Sequence, residues 1–173
     1  MFSYHSFLRK MISEAIRCYS SSLKLKASYY GNNHEQTAHS YISLGYIRFF
    51  YGLLSRKAYL SNREYEKAYS NFSVGNHILE KTLGKYTIHS ANCYVCMAQI
   101  KYKVKHYRES IDLYETALEI YINLLGKTHL YTYRIYLNLL YLSFIINDGN
   151  KIDYYERKLL VLLSTHVRSL YHK

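Results

Sequence analysis

Two short motifs in this sequence of 173 residues contain residue types that carry chemistry in other proteins. The segment Gly126-Lys127-Thr128 ends like a phosphate-binding loop, and Cys93-Tyr94-Val95-Cys96 has the spacing of a redox or metal-binding pair. A phosphate-binding loop also needs a glycine five residues before Gly126 and a preceding strand, but that position is Tyr121 and lies in a helical pattern. The sequence therefore does not predict nucleotide binding.

The cysteine pair lacks the other ligands of a metal site. His89 lies four residues before Cys93 and shares a helix face with it, but a structural zinc ion needs four ligands and there is no second cysteine pair. We predict that Cys93 and Cys96 are small, half-buried and unreactive residues. We expect no metal ion and no other cofactor.

The histidines and carboxylates form no recognisable catalytic pair. His34 and His129 each follow a glycine by three residues, where a polar side chain can satisfy the free amide groups of a starting helix. We interpret both as helix caps. Three glutamates that recur along one helix are interpreted as a solvated face: Glu109, Glu115 and Glu119. The sequence thus predicts no enzyme activity.

The composition indicates that helices position these residues. The chain has no proline and only seven glycines, which argues against a β-sandwich with its frequent turns. Hydrophobic residues make up 49% of the chain and charged residues 20%, which excludes a disordered tail. The most apolar run, residues 135–146, is shorter than the roughly 18 residues of a membrane span. We interpret it as a buried helix and expect no membrane span.

The charge and the cysteines indicate the kind of partner and the compartment. With 23 Lys+Arg against 12 Asp+Glu, the chain is basic at +11, which favours acidic partners of any class. Three cysteines are too few for a disulfide framework, which favours a reducing, intracellular setting. The first ten residues lack the apolar stretch of a signal peptide. We predict a cytoplasmic protein.

A repeat organises the whole chain. A leucine or tyrosine, a glycine and a polar triplet occur together at 30–34, 83–87 and 125–129. Gly84 and Gly126 are 42 residues apart, whereas Gly31 and Gly84 are 53 apart, which is 11 more. Each glycine ends an apolar-periodic stretch, as a helix C-cap with a left-handed backbone does. The period is therefore one pair of helices.

The segments between the glycines share packing positions. Before each glycine, bulky, small, aromatic and small residues follow at steps of three and four, on one helix face. The three sets are Ile12, Ala15, Tyr19 and Ser22; Tyr65, Ala68, Phe72 and Gly75; and Tyr107, Ser110, Tyr114 and Ala117. After each glycine an apolar face begins at Tyr41, Tyr94 or Tyr136 and continues to Phe49, Tyr102 or Phe144.

This pattern resembles the tetratricopeptide repeat, most closely at Tyr41-x-x-Leu44-Gly45 and Ser110-x-x-x-Tyr114-x-x-Ala117. The 42-residue period and the Leu-Gly-x-x-His linker at 125–129 are similar to the kinesin-light-chain subtype. Three features depart from it: the linkers lack a proline, Thr87 replaces the histidine, and Leu140 replaces a small residue. The resemblance covers about residues 11–167.

The resemblance implies an all-α fold, a right-handed superhelical solenoid of stacked antiparallel helix pairs. We predict a single repeat domain over residues 1–173. It comprises a partial first repeat or cap at 1–30, a repeat with an 11-residue insertion at 34–83, and repeats at 87–125 and 129–167. A stack that begins within a repeat suggests a fragment of a longer array or an atypical cap.

The resemblance also implies a concave groove lined by the first helix of each repeat. Its side chains include amides, which bond a peptide backbone, and cations, which bind carboxylates. The implied groove residues are His39, Ser43, Tyr46, Asn92, Gln99, Lys103, Arg134, Asn138 and Tyr141. We predict a non-enzymatic protein-interaction module or scaffold that binds an extended, acidic peptide segment of a partner protein.

Alternatives remain for the function and for the insertion. The charge and the tyrosines also suit an RNA-binding helical repeat, and helical repeats also serve as regulatory domains of larger enzymes. The apolar insertion residues either pack along two lengthened helices, which we prefer, or form an exposed patch for a partner. They are Phe50, Tyr51, Leu53, Leu54, Tyr59 and Leu60.

Overall fold

The computed structural model describes residues 4–55 and 58–171, and within them the chain forms seven α-helices and no strand. The helices are α1 (Tyr4–Tyr30), α2 (Glu35–Leu54), α3 (Ala58–Leu83), α4 (Ile88–Lys103), α5 (Tyr107–Leu125), α6 (Leu130–Ile145) and α7 (Gly149–Tyr171). They divide into two compact units, Met1–Lys85 and Tyr86–Lys173. None of the described helices is both long and apolar enough to cross a membrane. The all-α class is confirmed, and the single domain over 1–173 stays a prediction.

In the first unit, small residues let α2 and α3 approach closely. A Cβ atom added to Gly45 would lie 3.1 Å from the ring of Phe72, which is fully buried. On the facing helix, a Cβ atom on Gly75 would lie 2.7 Å from Ile42. Interlocking of an aromatic ring with small residues therefore fixes the distance between the two helices.

On α1, the equivalent aromatic Tyr19 is 44% exposed, so this helix is covered less completely than predicted.

In the second unit, α4 to α7 enclose one apolar core. Ser110, Tyr114 and Ala117 are buried in the predicted small–aromatic–small order, and the Ser110 hydroxyl donates to the carbonyl of Ala98 at 2.8 Å. Other buried members are Ile111, Ile120, Tyr121, Ile135, Tyr136, Leu139, Leu142, Tyr155 and Leu159. The prediction for Phe144 is wrong, because its side chain is 54% exposed. The run 135–146 therefore has one buried face and one exposed face.

The two helix pairs of this unit turn in the same way. Lys105 (φ 65°) and Asn147 (φ 55°) lie 42 residues apart, each in the middle of a three-residue connection. In both turns the following residue's amide donates to a carbonyl five residues back, from His106 to Lys101 and from Asp148 to Ser143. Such short connections make the paired helices antiparallel.

The insertion lengthens two helices. Helices α2 and α3 have 20 and 26 residues, against 16 and 19 in α4 and α5, so the helices absorb all 11 extra residues. The buried Gly52 lies against Tyr65, and a Cβ atom there would come within 2.6 Å of its ring. The lengthened helices are thus confirmed, but three of the apolar side chains remain exposed: Phe50, Leu53 and Leu54. The side chains of Tyr59 and Leu60 lie outside the described residues.

The linker glycines end their helices in a backbone conformation that other residues avoid. Gly126 has φ 87° and ψ 168°, a region that is essentially restricted to glycine. Gly31 and Gly84 have similar φ values of 92° and 86°. The prediction of glycine C-caps with positive φ is confirmed.

The two linker histidines cap the helices that follow them, as predicted. The Nδ1 atom of His34 accepts a hydrogen bond from the amide of Gln36 at 3.1 Å, and that of His129 accepts from Tyr131 at 3.2 Å. In the middle linker Thr87 takes this place, because its hydroxyl accepts from the amide of Ser90 at 3.0 Å.

A buried threonine completes the linker, and the sequence patterns did not predict it. The hydroxyl of Thr37 donates to the carbonyl of Gly31 at 2.8 Å, and that of Thr132 to Gly126 at 3.0 Å. Each threonine lies six residues after its glycine. The linker motif is therefore Gly-x-x-His-x-x-Thr, in which the threonine satisfies the carbonyl that the glycine leaves outside the helix.

We expect Gly126→Ala to lower the free energy of unfolding by about 1–3 kcal/mol, because a Cβ atom is strained at this φ and ψ. Gly149→Ala is the matched control. Gly149 begins α7 with no neighbouring atom within 4 Å of an added Cβ and without a positive φ, so alanine should leave stability unchanged or raise it. Urea unfolding of both variants measures the difference, and equal losses would contradict the explanation.

Candidate functional site

Two of the predicted groove residues line a small cavity in the second unit. Asn138 and Tyr141 on α6 form its wall together with Tyr102, Tyr114 and Leu142. Its volume is about 150 Å³, the space of roughly five water molecules. Drug-sized ligands need cavities of roughly 300 Å³ or more, so this one suits a single side chain of a larger partner.

A tyrosine pair spans α4 and α6 at this cavity. The hydroxyl oxygens of Tyr102 and Tyr141 lie 3.4 Å apart, and their ring centroids are 6.1 Å apart. This hydrogen bond raises the pKa of Tyr141. The ammonium group of Lys103 lies 5.7 Å from the centroid of the Tyr102 ring. An aromatic platform with a cation beside it is therefore present on this face.

Tyr114 contributes a hydroxyl without a hydrogen-bond partner among the described residues, although its side chain is only 4% exposed. Burial raises the pKa of Tyr114, and the charge of Arg134 partly opposes that rise. In the described ranges the buried side-chain polar atoms without a partner are Arg48 Nε, Asn71 Nδ2 and Asn76 Oδ1, so the Tyr114 oxygen is not cut off from solvent. Here the cavity gives the hydroxyl access to water or to a polar group of a ligand.

Asn92 differs from its predicted role. The hydroxyl of Tyr121 on α5 donates to the Asn92 Oδ1 atom at 2.6 Å, and burial raises the pKa of Tyr121 to about 12. The amide oxygen of Asn92 is thus already used within the unit. Gln99, on the same helix, is half-buried, whereas Lys103 and Arg134 are exposed.

The other three predicted groove residues lie on α2 in the first unit. His39 pairs with Glu35 through its Nε2 atom at 3.3 Å. Tyr46 packs edge-on against Phe72 with a centroid separation of 5.0 Å, and Ser43 is half-buried. A continuous groove that includes these residues stays a prediction.

The charge on the two groove helices of the second unit is purely positive. Helices α4 and α6 contain no aspartate or glutamate, while Lys103 and Arg134 project from them. Neither cation forms an ion pair with a carboxylate of the described residues. Lys101 and Lys151, in contrast, are neutralised by Glu109 at 2.6 Å and Glu115 at 2.7 Å. The unpaired cations therefore favour an anionic ligand.

The glutamates of α5 lie on the surface as predicted, since Glu109 and Glu119 are exposed and Glu115 is half-buried, but they also bond to side chains of other elements. Glu115 accepts hydrogen bonds from Lys151 at 2.7 Å and from the Tyr155 hydroxyl at 2.6 Å, which ties α5 to α7. Glu119 accepts from the Tyr86 hydroxyl at 2.6 Å. Hydrogen bonds from Lys101 and His106 lower the pKa of Glu109. The spacing of the glutamates predicted their shared side but not their partners on other elements.

The cysteine pair lies in the core rather than at a site. Cys93 and Cys96 are buried and form no disulfide. Across the described ranges, no three His, Cys, Asp or Glu side chains are grouped so that they could hold a metal ion.

The repeat pattern missed Tyr102 and Tyr114 as site residues because it assigned both to packing positions. Both do pack against their neighbours, yet each also reaches the cavity. One available signal was that Tyr102 stands next to Lys103 at the end of α4.

No family model matches the sequence, and no curated protein matches it. Among solved structures, the nearly identical TPR-like repeats of a putative kinesin light chain from Podosopora anserina give a TM-score of 0.66 at 14% identity, covering 90% of this chain and 68% of that one. A variant of the same repeats also gives 0.66 at 14% identity, covering 91% and 69%. BtubC (BKLC) from P. vanneervenii gives 0.53 at 14% identity, covering 94% and 75%.

These likenesses concern the fold. They confirm the predicted resemblance to tetratricopeptide-like repeats of the kinesin-light-chain type over most of this chain. At 14% identity they carry no information about ligands, which depend on the side chains of this chain alone.

We expect Tyr114→Phe to leave the free energy of unfolding unchanged or slightly higher, because the lost hydroxyl has no partner. Tyr121→Phe makes the same change on the same helix but removes a 2.6 Å hydrogen bond and leaves the Asn92 oxygen unpaired. It should cost about 1–3 kcal/mol. Urea unfolding compares the two, and a comparable loss in Tyr114→Phe would show that its hydroxyl is bonded.

Proposed function

We propose that this protein is a non-enzymatic interaction module that binds an extended, acidic segment of a partner protein along its first helices, α2, α4 and α6. One observation carries the proposal: α4 and α6 have no acidic residue, and their exposed cations Lys103 and Arg134 have no carboxylate partner among the described residues. An acidic segment would supply the missing partner.

The neighbouring groups fit an extended peptide. Arg134 can bind a carboxylate through two parallel hydrogen bonds, and Lys103 can bind a second one as a point charge. Gln99 and Asn138 carry amide groups that can donate to and accept from a peptide backbone. The cavity between Tyr102, Tyr114 and Tyr141 has room for one side chain of the same peptide. In the first unit His39, Ser43 and Tyr46 on α2 stay predicted contact residues.

The tetratricopeptide-like fold supports the absence of enzyme activity, because such repeats are generally scaffolds with extended binding surfaces. The proposal includes a cytoplasmic location, which is supported by three cysteines that form no disulfide. We prefer a protein partner to RNA, because the amide groups of Gln99 and Asn138 beside the two cations match the donors and acceptors of a peptide backbone. RNA that stacks on the exposed Tyr141 ring is the alternative.

The double variant Lys103→Glu/Arg134→Glu should bind a fluorescein-labelled, glutamate-rich peptide roughly tenfold or more weakly than the native chain, because two attractive contacts become repulsive. Fluorescence anisotropy at low and at physiological salt gives both affinities. Lys24→Glu/Arg157→Glu is the matched control, since it also replaces one lysine and one arginine and changes the net charge equally, at exposed positions on α1 and α7.

The control separates a site from general attraction to a chain of +11 charge. Equal weakening by both double variants would contradict the proposed site. Labelled single-stranded oligouridine is the second probe, and tighter binding of this RNA than of the peptide would favour nucleic acid as the partner instead.

A further inference from the structure

Helix α6 is apolar on two faces, only one of which is buried. Its buried face belongs to the core of the second unit through Ile135, Leu139 and Leu142. The opposite face carries exposed residues at steps of four, three, four and three, which form one straight line along the helix. This α6 row consists of Leu130, Arg134, Leu137, Tyr141 and Phe144. A helix that is apolar all round is normally covered on both sides, which points to a missing contact.

The residues of the α6 row are self-complementary when two copies of the row run in opposite directions. In the reversed order Leu130 lies opposite Phe144, Arg134 lies opposite Tyr141, and Leu137 lies opposite Leu137. Two antiparallel copies related by a two-fold axis at Leu137 would therefore place apolar side chains together at the centre and at both ends. Self-complementary patches of this kind are the requirement for a symmetric dimer.

We propose that α6 is the contact surface of a homodimer, in which the α6 rows of two copies pair antiparallel about a two-fold axis at Leu137. The charges agree with this arrangement, because α6 has no acidic residue and its single cation, Arg134, would lie over the Tyr141 ring of the other copy. Along α6 itself no cation faces another cation, although Lys103 of α4 adds positive charge beside Tyr102, which contacts Tyr141. The apolar residues at spacing seven then pack as they do along two-stranded helical contacts.

The expected association is weak and grows with salt. The row offers about 500 Å² per copy, below the area of a standard stable interface. Two chains of +11 also repel each other, and salt screens that repulsion while leaving apolar contacts intact. An acidic partner protein on the same face would bind more weakly as salt is raised, because salt also screens the attraction between opposite charges.

The dimer does not rest on the proposed peptide binding, although the two share Arg134 and Tyr141. Leu130 and Leu137 belong only to the α6 row, so their variants test the dimer alone. If both proposals hold, an acidic peptide and a second copy compete for the same face of α6. If the native chain is monomeric and binds the peptide, the proposed dimer is wrong and the proposed function still holds.

The first test is sedimentation equilibrium of the full chain over a concentration range up to about 1 mM, at low and high salt. We expect a concentration-dependent dimer that strengthens as salt is raised. Leu137→Glu should abolish it, since two carboxylates would face each other at the axis. Leu124→Glu is the matched control, because Leu124 on α5 is 41% exposed against 42% for Leu137. It should dimerise like the native chain.

The second test is a cross-link at the axis. Cys18 is exposed, so both variants are made in a Cys18→Ser background. Leu137→Cys should form a disulfide-linked dimer on mild oxidation with diamide, whereas Leu124→Cys should not. A native chain that stays monomeric throughout, a dimer that weakens with salt, or equal cross-linking at both positions would each overturn the proposal.

Discussion

The fold depends on one packing constraint, the close approach of an aromatic side chain to small residues on the facing helix. Phe72 fills the space that Gly45 leaves open, and Ile42 does the same at Gly75. In the second unit the same order of sizes appears as Ser110, Tyr114 and Ala117, all of them buried. Because cores are packed as densely as crystals, a methyl group added at these points would separate the helices. The distance between paired helices therefore depends on the sizes of a few residues.

The linkers turn this packing into a repeat. A glycine with positive φ ends one helix, a histidine nitrogen caps the next, and a threonine hydroxyl returns to the glycine carbonyl, as at Gly126, His129 and Thr132. The backbone groups that two helix ends leave unpaired are thus satisfied within seven residues. A threonine hydroxyl on the carbonyl and a histidine on the amide fix the linker without a proline. In the middle linker the Thr87 hydroxyl accepts from the Ser90 amide and donates to the Ser90 hydroxyl.

The sequence predicted the features of the fold that repeat along the chain. Repeated sizes at fixed offsets indicated the helix pairs, the glycine caps and the lengthened α2 and α3, since each of these is local or repeats along the chain. It did not predict contacts that depend on which side chains meet across helices. Glu115 bonds Lys151 and Tyr155, and the partner of Asn92 is Tyr121; neither pairing recurs at the repeat period. The exposed face of α6 was missed for a related reason, because an apolar run has the same pattern whether or not a neighbour covers both of its sides.

The exposed face of α6 combines positive charge with apolar area. The cations Lys103 and Arg134 would attract an acidic segment from a distance, while the apolar residues around Arg134 need a contact that excludes water. Charge alone attracts a ligand over a long distance but distinguishes poorly between ligands. Apolar area alone gives affinity but does not orient the ligand. On α6 the two are combined within one row, so a ligand that uses both would compete with the proposed second copy for Leu137 and Phe144. Occupation of this face by a second copy would thus set the threshold that a binding partner has to exceed.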